Sequence, residues 1–340
     1  MTSIVPRRLP AVPLLALALA LAALVLLPAC STQPRPGTPV ERHGDEIVAA
    51  GQYFRTGAPV VLWTDPGGYD AYRTEYRFEP FDDRRYNPDF RALYGPQRYN
   101  LREANLTDDE KELVRGGGWT LELLQREVDQ FVIHYDVCGV SKRCFDVLHD
   151  HRGLSVHFLL DIDGTIYQTL DLKERAWHAS HANTRSVGIE IAHMGAYKPG
   201  EPSPLDTWYA SDEAGRTRLV VPETLEGGGV RTPGFVGRPA REGRITGQLH
   251  GSTYEQYDFT PEQYDSLIKL TAALCTIFPE MACDYPRNHD GEFLTTVMSE
   301  EHYDRFGGLV GHFHLTTKKI DPGPAFDWDK VVTGARRLMR

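Results

Sequence analysis

The side chains that could carry metal or acid–base chemistry first stand out on two predicted strands. His134 lies in Phe131–Tyr135 and Glu190 lies in Ser186–Ala192, and alternate residues of each segment point to opposite faces of a sheet. If the apolar face packs on helices, the other face leaves His134 and Glu190 in a groove where a metal ion and a base would be useful. On these strands alone, a hydrogen-bonded core histidine and a solvent-facing glutamate remain the more ordinary explanation.

The elements that would position these residues follow from caps, turns and periodicity. Capping boxes begin helices at Thr107 and Thr260, and Asp163-Gly164 is a strong hairpin signal. The other predicted strands are Pro59–Trp63, Val156–Asp161 and Thr165–Leu170. Strands and helices in this mixed order predict an α/β fold in which a mixed central β-sheet is flanked by α-helices.

A run near the C-terminus adds further candidates, because residues 312–321 contain two histidines, two lysines and an aspartate. With four blocks elsewhere in the chain, this run closely resembles the type 2 N-acetylmuramoyl-L-alanine amidase family, which includes phage amidase lysozymes and the peptidoglycan recognition proteins. The resemblance covers about residues 130–330, with every motif in family order. The matching blocks are Val132–His134, Phe158–Gln168, Ala176–Ala179, Ser186–Glu190 and Gly311–Trp328.

The resemblance implies a zinc site in a groove on one face of the sheet. It makes His134, His312 and Asp321 the zinc ligands, Glu190 the catalytic acid–base and Lys319 an electrostatic helper. Two imidazoles and one carboxylate leave the fourth tetrahedral position open for water, as a catalytic zinc site requires. The implied activity is zinc-dependent hydrolysis of the amide bond between N-acetylmuramic acid and L-alanine (EC 3.5.1.28), in peptidoglycan or its fragments.

Two details of the resemblance stay open. His312 and Asp321 are nine positions apart, one fewer than in the bacterial members and one more than in typical recognition proteins, so His314 could replace His312. The preceding Gly311 matches the Gly-His of the family and favours His312. His178 resembles a groove-lining position, and we expect it to contact the substrate.

Residues 1–29 are predicted to be a lipoprotein signal peptide. Arg7 and Arg8 precede an apolar stretch, and Leu27–Cys30 resembles the lipobox of bacterial lipoproteins, in which Cys30 is lipidated and becomes the mature N-terminus. A retained membrane anchor is the alternative, because the apolar run approaches spanning length. We expect export and a lipid anchor in a cell-envelope membrane, namely the outer membrane, with the protein facing the periplasm.

The rest of the chain is expected to divide into two parts. Residues 30–100 would form a tether and an N-terminal extension, and residues 101–340 would form the zinc amidase domain. A Gly/Pro-rich stretch without clear periodicity, at about residues 196–258, is long for a loop and is predicted to be an insertion in that domain.

Export would permit disulfide bonds. Apart from Cys30, the chain has four cysteines in two close pairs, and we predict that Cys138 bonds to Cys144 and Cys275 to Cys283. A four-cysteine zinc site is the alternative, but the spacings fit no zinc knuckle. The spacing of the first pair also matches a disulfide that recognition proteins carry just after their first ligand.

The net charge of the chain and the motifs it contains restrict the classes of function that it can have. A formal net charge of −10 makes nucleic acid a poor partner, and the expected partners are peptidoglycan or muropeptides and, through the lipid, a membrane. The main alternative function is a non-catalytic peptidoglycan-binding module, but such modules lose the third ligand, whereas Asp321, Lys319 and Glu190 are all present. A zinc peptidase or amidase acting on another exported amide is a third possibility, although the sequence lacks His-Glu-x-x-His.

Overall fold

Alternating apolar residues and capped helices build a layered α/β structure. The computed structural model describes Met1 and residues 36–72 and 99–340. Its strands are β1 Glu46–Ala49, β2 Gln52–Arg55, β3 Val60–Leu62, β4 Tyr99–Leu101, β5 Gln130–Tyr135, β6 Phe158–Leu160, β7 Ile166–Gln168, β8 Glu174–Ala176, β9 Ser186–Ile191, β10 Tyr209–Ser211, β11 Thr217–Leu219, β12 Arg244–Leu249, β13 Ser252–Tyr257 and β14 Gly308–Gly311. Its α-helices are α1 Asp108–Arg115, α2 Leu121–Glu127, α3 Ser141–Phe145, α4 Leu205–Trp208, α5 Pro261–Ile277, α6 Glu300–Arg305 and α7 Trp328–Leu338.

Within the described residues, six strands form the central sheet, in the order β14-β5-β9-β6-β7-β3. The strands β14, β5, β9 and β6 are parallel, β7 is antiparallel to β6, and β3 is parallel to β7. The predicted mixed sheet flanked by helices is therefore confirmed. Because neighbouring parallel strands end at the same edge, side chains at the carboxyl ends of β14, β5 and β9 are brought together.

The alternation along β5 separates the two faces of the sheet. Phe131 and Ile133 are fully buried in the main hydrophobic core, to which α5 and α7 also contribute, whereas Val132 belongs to a smaller cluster. Burying a side chain of this size contributes about 1.5–3 kcal/mol, and a slip of one residue would exchange the two faces, so the register of β5 is strongly specified. His134 shares the face of Val132 and points away from the main core.

Residues 42–72 are part of the same compact unit as the sheet. This unit comprises the described residues from position 42 onward, and β3 lies at one edge of the sheet while Ile47 is fully buried in its main core. The expected extension therefore contributes a strand and core residues. Residues 36–41 are exposed and have no regular structure. Among the described residues, no helix has the length and apolarity needed to cross a membrane. Leu27–Cys30 lies outside the described residues.

The expected insertion at residues 196–258 has its own secondary structure. It contains α4, a β10–β11 hairpin and a β12–β13 hairpin. Leu205, Trp208 and Leu219 from this segment form a small cluster with Met194 and Ile162 of the domain. The insertion is thus packed onto the domain, although no clear periodicity marks it in the sequence.

Candidate active site

Three adjacent parallel strands deliver the central residues of the site. β5 pairs with β9 so that His134 lies opposite Glu190. β14 pairs with β5 up to Gly311 opposite Ile133, so His312 follows β14 at the level of His134. The register of the sheet therefore places two imidazoles and one carboxyl group at its carboxyl edge.

The potential metal-binding atoms of His134, His312 and Asp321 converge on one point. The Asp321 Oδ2 atom lies 2.8 Å from His134 Nδ1 and 3.1 Å from His312 Nδ1. All three donor atoms lie within 4.8 Å of one another, and all three residues are buried. Ligands at about 2.0–2.1 Å from a tetrahedral zinc are about 3.4 Å apart, and the two distances to Asp321 Oδ2 are close to that value.

The protonation states of His134 and Asp321 also suit metal binding. Burial, followed by the neighbouring His312, lowers the pKa of His134 to about 4. Burial alone would raise the pKa of Asp321, but hydrogen bonds from His134 and His312 hold that pKa below its usual range. A neutral imidazole and an ionised carboxylate are the forms that bind a metal ion.

The second nitrogen of His134 is held by His178. His134 Nε2 lies 3.1 Å from His178 Nδ1, and His178 Nε2 lies 3.4 Å from Ser186 Oγ. A Cβ atom at residue 188 would lie 2.5 Å from the His178 ring, so Gly188 makes room for this contact. Hydrogen bonds of this kind orient metal-ligating histidines. The structure thus places His178 behind His134 as well as in the cavity wall, and its contact with substrate stays a prediction.

Glu190 contributes a second carboxyl group beside Asp321, and Asp136 also lines the cavity. Burial, together with the negative charges of Asp321 and Asp136, raises the pKa of Glu190 well above its usual range, and Lys319 opposes this effect. The Glu190 Oε2 atom is buried and has no hydrogen-bond partner among the described residues. An unpartnered carboxyl oxygen that holds a proton readily is suited to exchanging that proton with a bound water or substrate.

A cavity of about 350 Å³ opens above these groups. Its lining includes the potential ligands, Glu190, His178, the aromatic side chains of Trp177 and Tyr135, and the cationic Arg152, Lys318 and Lys319. A cavity of this size that combines aromatic surface with a few convergent polar groups is typical of a ligand site.

His314, the alternative to His312, lies in the core instead. Its Nδ1 atom accepts a hydrogen bond from the Gly311 N–H at 2.9 Å, and its Nε2 atom lies 2.8 Å from the Leu294 carbonyl oxygen. Both nitrogens are therefore engaged, and His314 is 1% exposed. Within the described residues, the structure brings His312 rather than His314 to His134 and Asp321.

The four cysteines of the domain are free thiols in the structure. Burial and a side-chain hydrogen bond to Cys138 raise the pKa of Cys144 well above its usual range, and Cys275 and Cys283 are also hydrogen-bonded to each other. The structure therefore contains neither predicted disulfide, but it brings the two sulfur atoms of each pair together. Formation of the two bonds stays a prediction.

Three supporting residues were missed at the level of sequence. Asp136 accepts hydrogen bonds from the backbone N–H groups of residues 138, 139 and 193, and burial raises its pKa to about 7. His157 Nδ1 accepts the Gly188 N–H at 3.1 Å, and the fully buried Arg102 lies 3.0 Å from His157 Nε2. The position of Asp136 two residues after His134 was an available signal, whereas nothing in the sequence connects Arg102 to β9.

A family model described as N-acetylmuramoyl-L-alanine amidase matches residues 124–324. This range contains the strands β5, β9 and β14 and every residue of the predicted ligand set, and it is more than half of the 340-residue chain. The chain belongs to the type 2 N-acetylmuramoyl-L-alanine amidase family. The resemblance inferred from the motifs is thereby confirmed, and membership supports peptidoglycan amidase activity.

Solved amidase structures are similar to this chain at low sequence identity. A selenomethionine derivative of AmpD is 16% identical with a TM-score of 0.33, and the similarity covers 70% of this chain and 90% of that one. AmiD from E. coli, in complex with anhydro-N-acetylmuramic acid-L-Ala-D-γ-Glu-L-Lys, is 19% identical with a TM-score of 0.34, covering 61% and 57%. The endolysin LysCS from Clostridium intestinale is 17% identical with a TM-score of 0.32, covering 64% and 88%. No curated protein matches the sequence.

Proposed function

We propose that this amidase is zinc-dependent and hydrolyses the amide bond between N-acetylmuramic acid and L-alanine in peptidoglycan or muropeptides. The observation that carries the proposal is the convergence of His134, His312 and Asp321, whose potential ligand atoms lie within 4.8 Å of one another, beside the unpartnered carboxyl oxygen of Glu190. The family supplies the class of substrate, and this geometry supports the metal and the base.

The donor set fits Zn²⁺ better than a hard cation. Two imidazole nitrogens and one carboxylate oxygen are ordinary zinc ligands, whereas Mg²⁺ and Ca²⁺ prefer all-oxygen sites. Three protein ligands also leave a position for water or substrate at the cavity. When bound there, zinc would lower the pKa of a water molecule and polarise the amide carbonyl.

The side chains around the metal position would carry the proton transfers. Glu190 Oε2 can accept a proton from the water that attacks the lactyl carbonyl carbon, and it can return that proton to the L-alanine nitrogen as the carbon–nitrogen bond breaks. Lys319 lines the same cavity and would offset the negative charge that develops on the carbonyl oxygen. His178 would keep the His134 ring oriented throughout the reaction.

Mass spectrometry of products from purified peptidoglycan tests the proposal. We expect stem peptides with a free L-alanine amino group, an intact glycan backbone and about one zinc ion per chain by elemental analysis. Binding of muropeptides without release of peptide would identify a recognition module instead. Cleavage at another bond would overturn the assigned reaction.

We also propose that Cys30 is lipidated and anchors the enzyme in the outer membrane, facing the periplasm. The support is the resemblance of Leu27–Cys30 to a lipobox after an apolar segment. Fractionation of cells that express the wild type or Cys30→Ser tests the proposal, because the variant should leave the membrane fraction once the N-terminal segment is removed. Membrane association that persists in that processed variant would contradict the lipid anchor.

A further inference from the structure

The β12–β13 hairpin of the insertion contacts the segment that carries Lys319 and Asp321. Gln256, on β13, has no exposed surface. Its Nε2 atom donates to the Pro322 carbonyl oxygen at 3.0 Å, and its Oε1 atom accepts the Ala325 N–H at 3.1 Å. One amide side chain thus satisfies two main-chain groups on the C-terminal side of Asp321.

The two segments approach so closely that glycine is needed on both sides. Gly323 has a φ of +86°, and a Cβ atom there would lie 2.0 Å from Gln256 Oε1. Across the same contact, a Cβ atom on Gly247 of β12 would lie 2.8 Å from the Pro324 side chain. A fit of this kind fixes the position of residues 322–325 relative to the hairpin.

The tip of the hairpin makes a second contact with the same segment. Leu249 pairs with Ser252, so His250 and Gly251 form a two-residue turn, and both have positive φ values, 52° and 73°. This is the conformation of a type I′ turn, in which asparagine is favoured at the first position. Here His250 occupies that position, and its Nε2 atom lies 3.0 Å from the Lys319 carbonyl oxygen.

The segment held by these contacts has little regular structure of its own. Between the short 3₁₀ turn His312–His314 and α7, no helix or strand is present in this part of the described chain. A backbone bond from the Lys319 N–H to the Thr316 carbonyl oxygen is long, at 3.4 Å. Two other backbone bonds hold this stretch, from the Gly323 N–H to the Ile320 carbonyl oxygen at 2.8 Å and from the Phe313 N–H to the Asp321 carbonyl oxygen at 3.2 Å. The hairpin adds contacts from outside the segment to the carbonyl oxygens of Lys319 and Pro322.

We propose that the β12–β13 hairpin is a brace for the active site, in which Gln256 and His250 are positioning residues. Gln256 acts through Pro322 on the ligand Asp321, and His250 acts through the main chain of Lys319. The proposal rests on the proposed zinc amidase function, and it gives the insertion a role in that function. It predicts that the two residues affect different measurable steps.

Three variants separate these effects. Gln256→Leu removes both hydrogen bonds at similar size, and we expect the zinc dissociation constant to rise by about 10–100-fold, as for other groups that orient a metal ligand. His250→Asn keeps a residue favoured in the turn but shortens the side chain, so we expect unchanged zinc affinity, a fall in kcat of about tenfold and an unchanged KM. Gln248→Leu is the matched control, because Gln248 is an exposed glutamine on β12, and it should change neither quantity.

Zinc affinity is measured by competition with a chromophoric chelator, kcat and KM are measured with a muropeptide, and folding is followed by circular dichroism and thermal unfolding.

A folded Gln256→Leu variant with wild-type zinc affinity and only a lower Tm would overturn the brace. If that variant does not fold, His250→Asn decides, and a wild-type kcat there would overturn the proposal. A wild type that binds zinc but cleaves no muropeptide would refute the proposed function, and the brace would then be judged by the zinc affinities. A wild type that binds no zinc would overturn both.

Discussion

The two halves of the active site are held in different ways. His134 and Glu190 lie opposite each other on paired strands of the central sheet, above a fully buried core. Lys319 and Asp321 lie in an irregular segment whose main chain is bonded to side chains of a separate hairpin. The sheet fixes its residues by register, so they cannot shift without refolding, whereas the segment can shift if a few contacts are lost.

The two halves also differ in the roles proposed for their residues. The proposed base Glu190 and the proposed ligand His134 belong to the rigid half, and the proposed ligand Asp321 and the cationic Lys319 belong to the adjustable half. A common metal site would couple the halves, because Asp321 must reach both histidines. Substitutions in each half therefore test whether the two halves form one metal site.

The largest effect is expected from removing a ligand in either half. His134→Ala and Asp321→Ala should both lose zinc and reduce amide hydrolysis to the uncatalysed background, because either change leaves only two protein ligands. Zinc content by elemental analysis and muropeptide cleavage are the measurements. His289→Ala is the control, since His289 is fully exposed. If either variant retains zinc at the wild-type level, the two halves do not share one metal site.

Glu190→Gln should give the next largest effect, from the sheet-borne half alone. The change keeps the size of the side chain and removes proton transfer, so hydrolysis should slow by about 10²–10⁴-fold while zinc is retained. Chelator competition and kcat on a muropeptide provide the two readings. Loss of zinc in this variant would instead place Glu190 among the ligands, and undiminished cleavage would exclude it as the base.

Lys319→Met is the corresponding change in the adjustable half. If Lys319 offsets charge on the developing oxyanion, zinc should remain bound and kcat should fall by about 10²–10³-fold. The exposed neighbour Lys318 also lines the cavity, and Lys318→Met provides the control for a general loss of positive charge. Equal losses in both variants would mean that the charge of the cavity matters and the position of Lys319 does not.

His314→Gln should have a smaller effect on activity than any of these changes. Both ring nitrogens of His314 are engaged in the core, so the variant should retain zinc and lose stability, by about 1–3 kcal/mol for unsatisfied buried groups. Urea unfolding measures the loss. If His314→Gln loses zinc while His312→Ala retains it, the ligand assignment moves by two residues.

Sequence patterns predicted the sheet-borne half better than the adjustable half. The alternation of Phe131–Tyr135 and the capping box at Thr260 gave the strand, its faces and the start of α5, because local periodicity and caps determine them. The choice between His312 and His314 needed the family resemblance, since in an extended chain the two share a face. The bond from Gln256 to Pro322 spans 66 residues and starts in a segment without clear periodicity, so no local pattern could predict it.

The predicted disulfides allow the two halves of the site to be compared through the free energy of unfolding. A bond between Cys138 and Cys144 would restrain the segment between β5 and α3, whose backbone N–H groups at residues 138 and 139 also bond to Asp136. A bond between Cys275 and Cys283 would restrain the end of α5. Loops this short contribute about 2–3 kcal/mol each on chain-entropy grounds. Cys138→Ser with Cys144→Ser should therefore lower the free energy of unfolding by about that amount and leave zinc affinity unchanged.

Thiol titration of the native, unreduced protein, purified from an exporting host, checks whether the bonds form. The structure holds all four sulfur atoms as thiols, in two adjacent pairs. If export oxidises them, no thiol should titrate before reduction and four should titrate after it. Four reactive thiols without reductant would contradict both disulfides. If the variant with both Cys138→Ser and Cys144→Ser loses zinc, the rigid half of the site would depend on a local restraint after β5 as well as on the sheet.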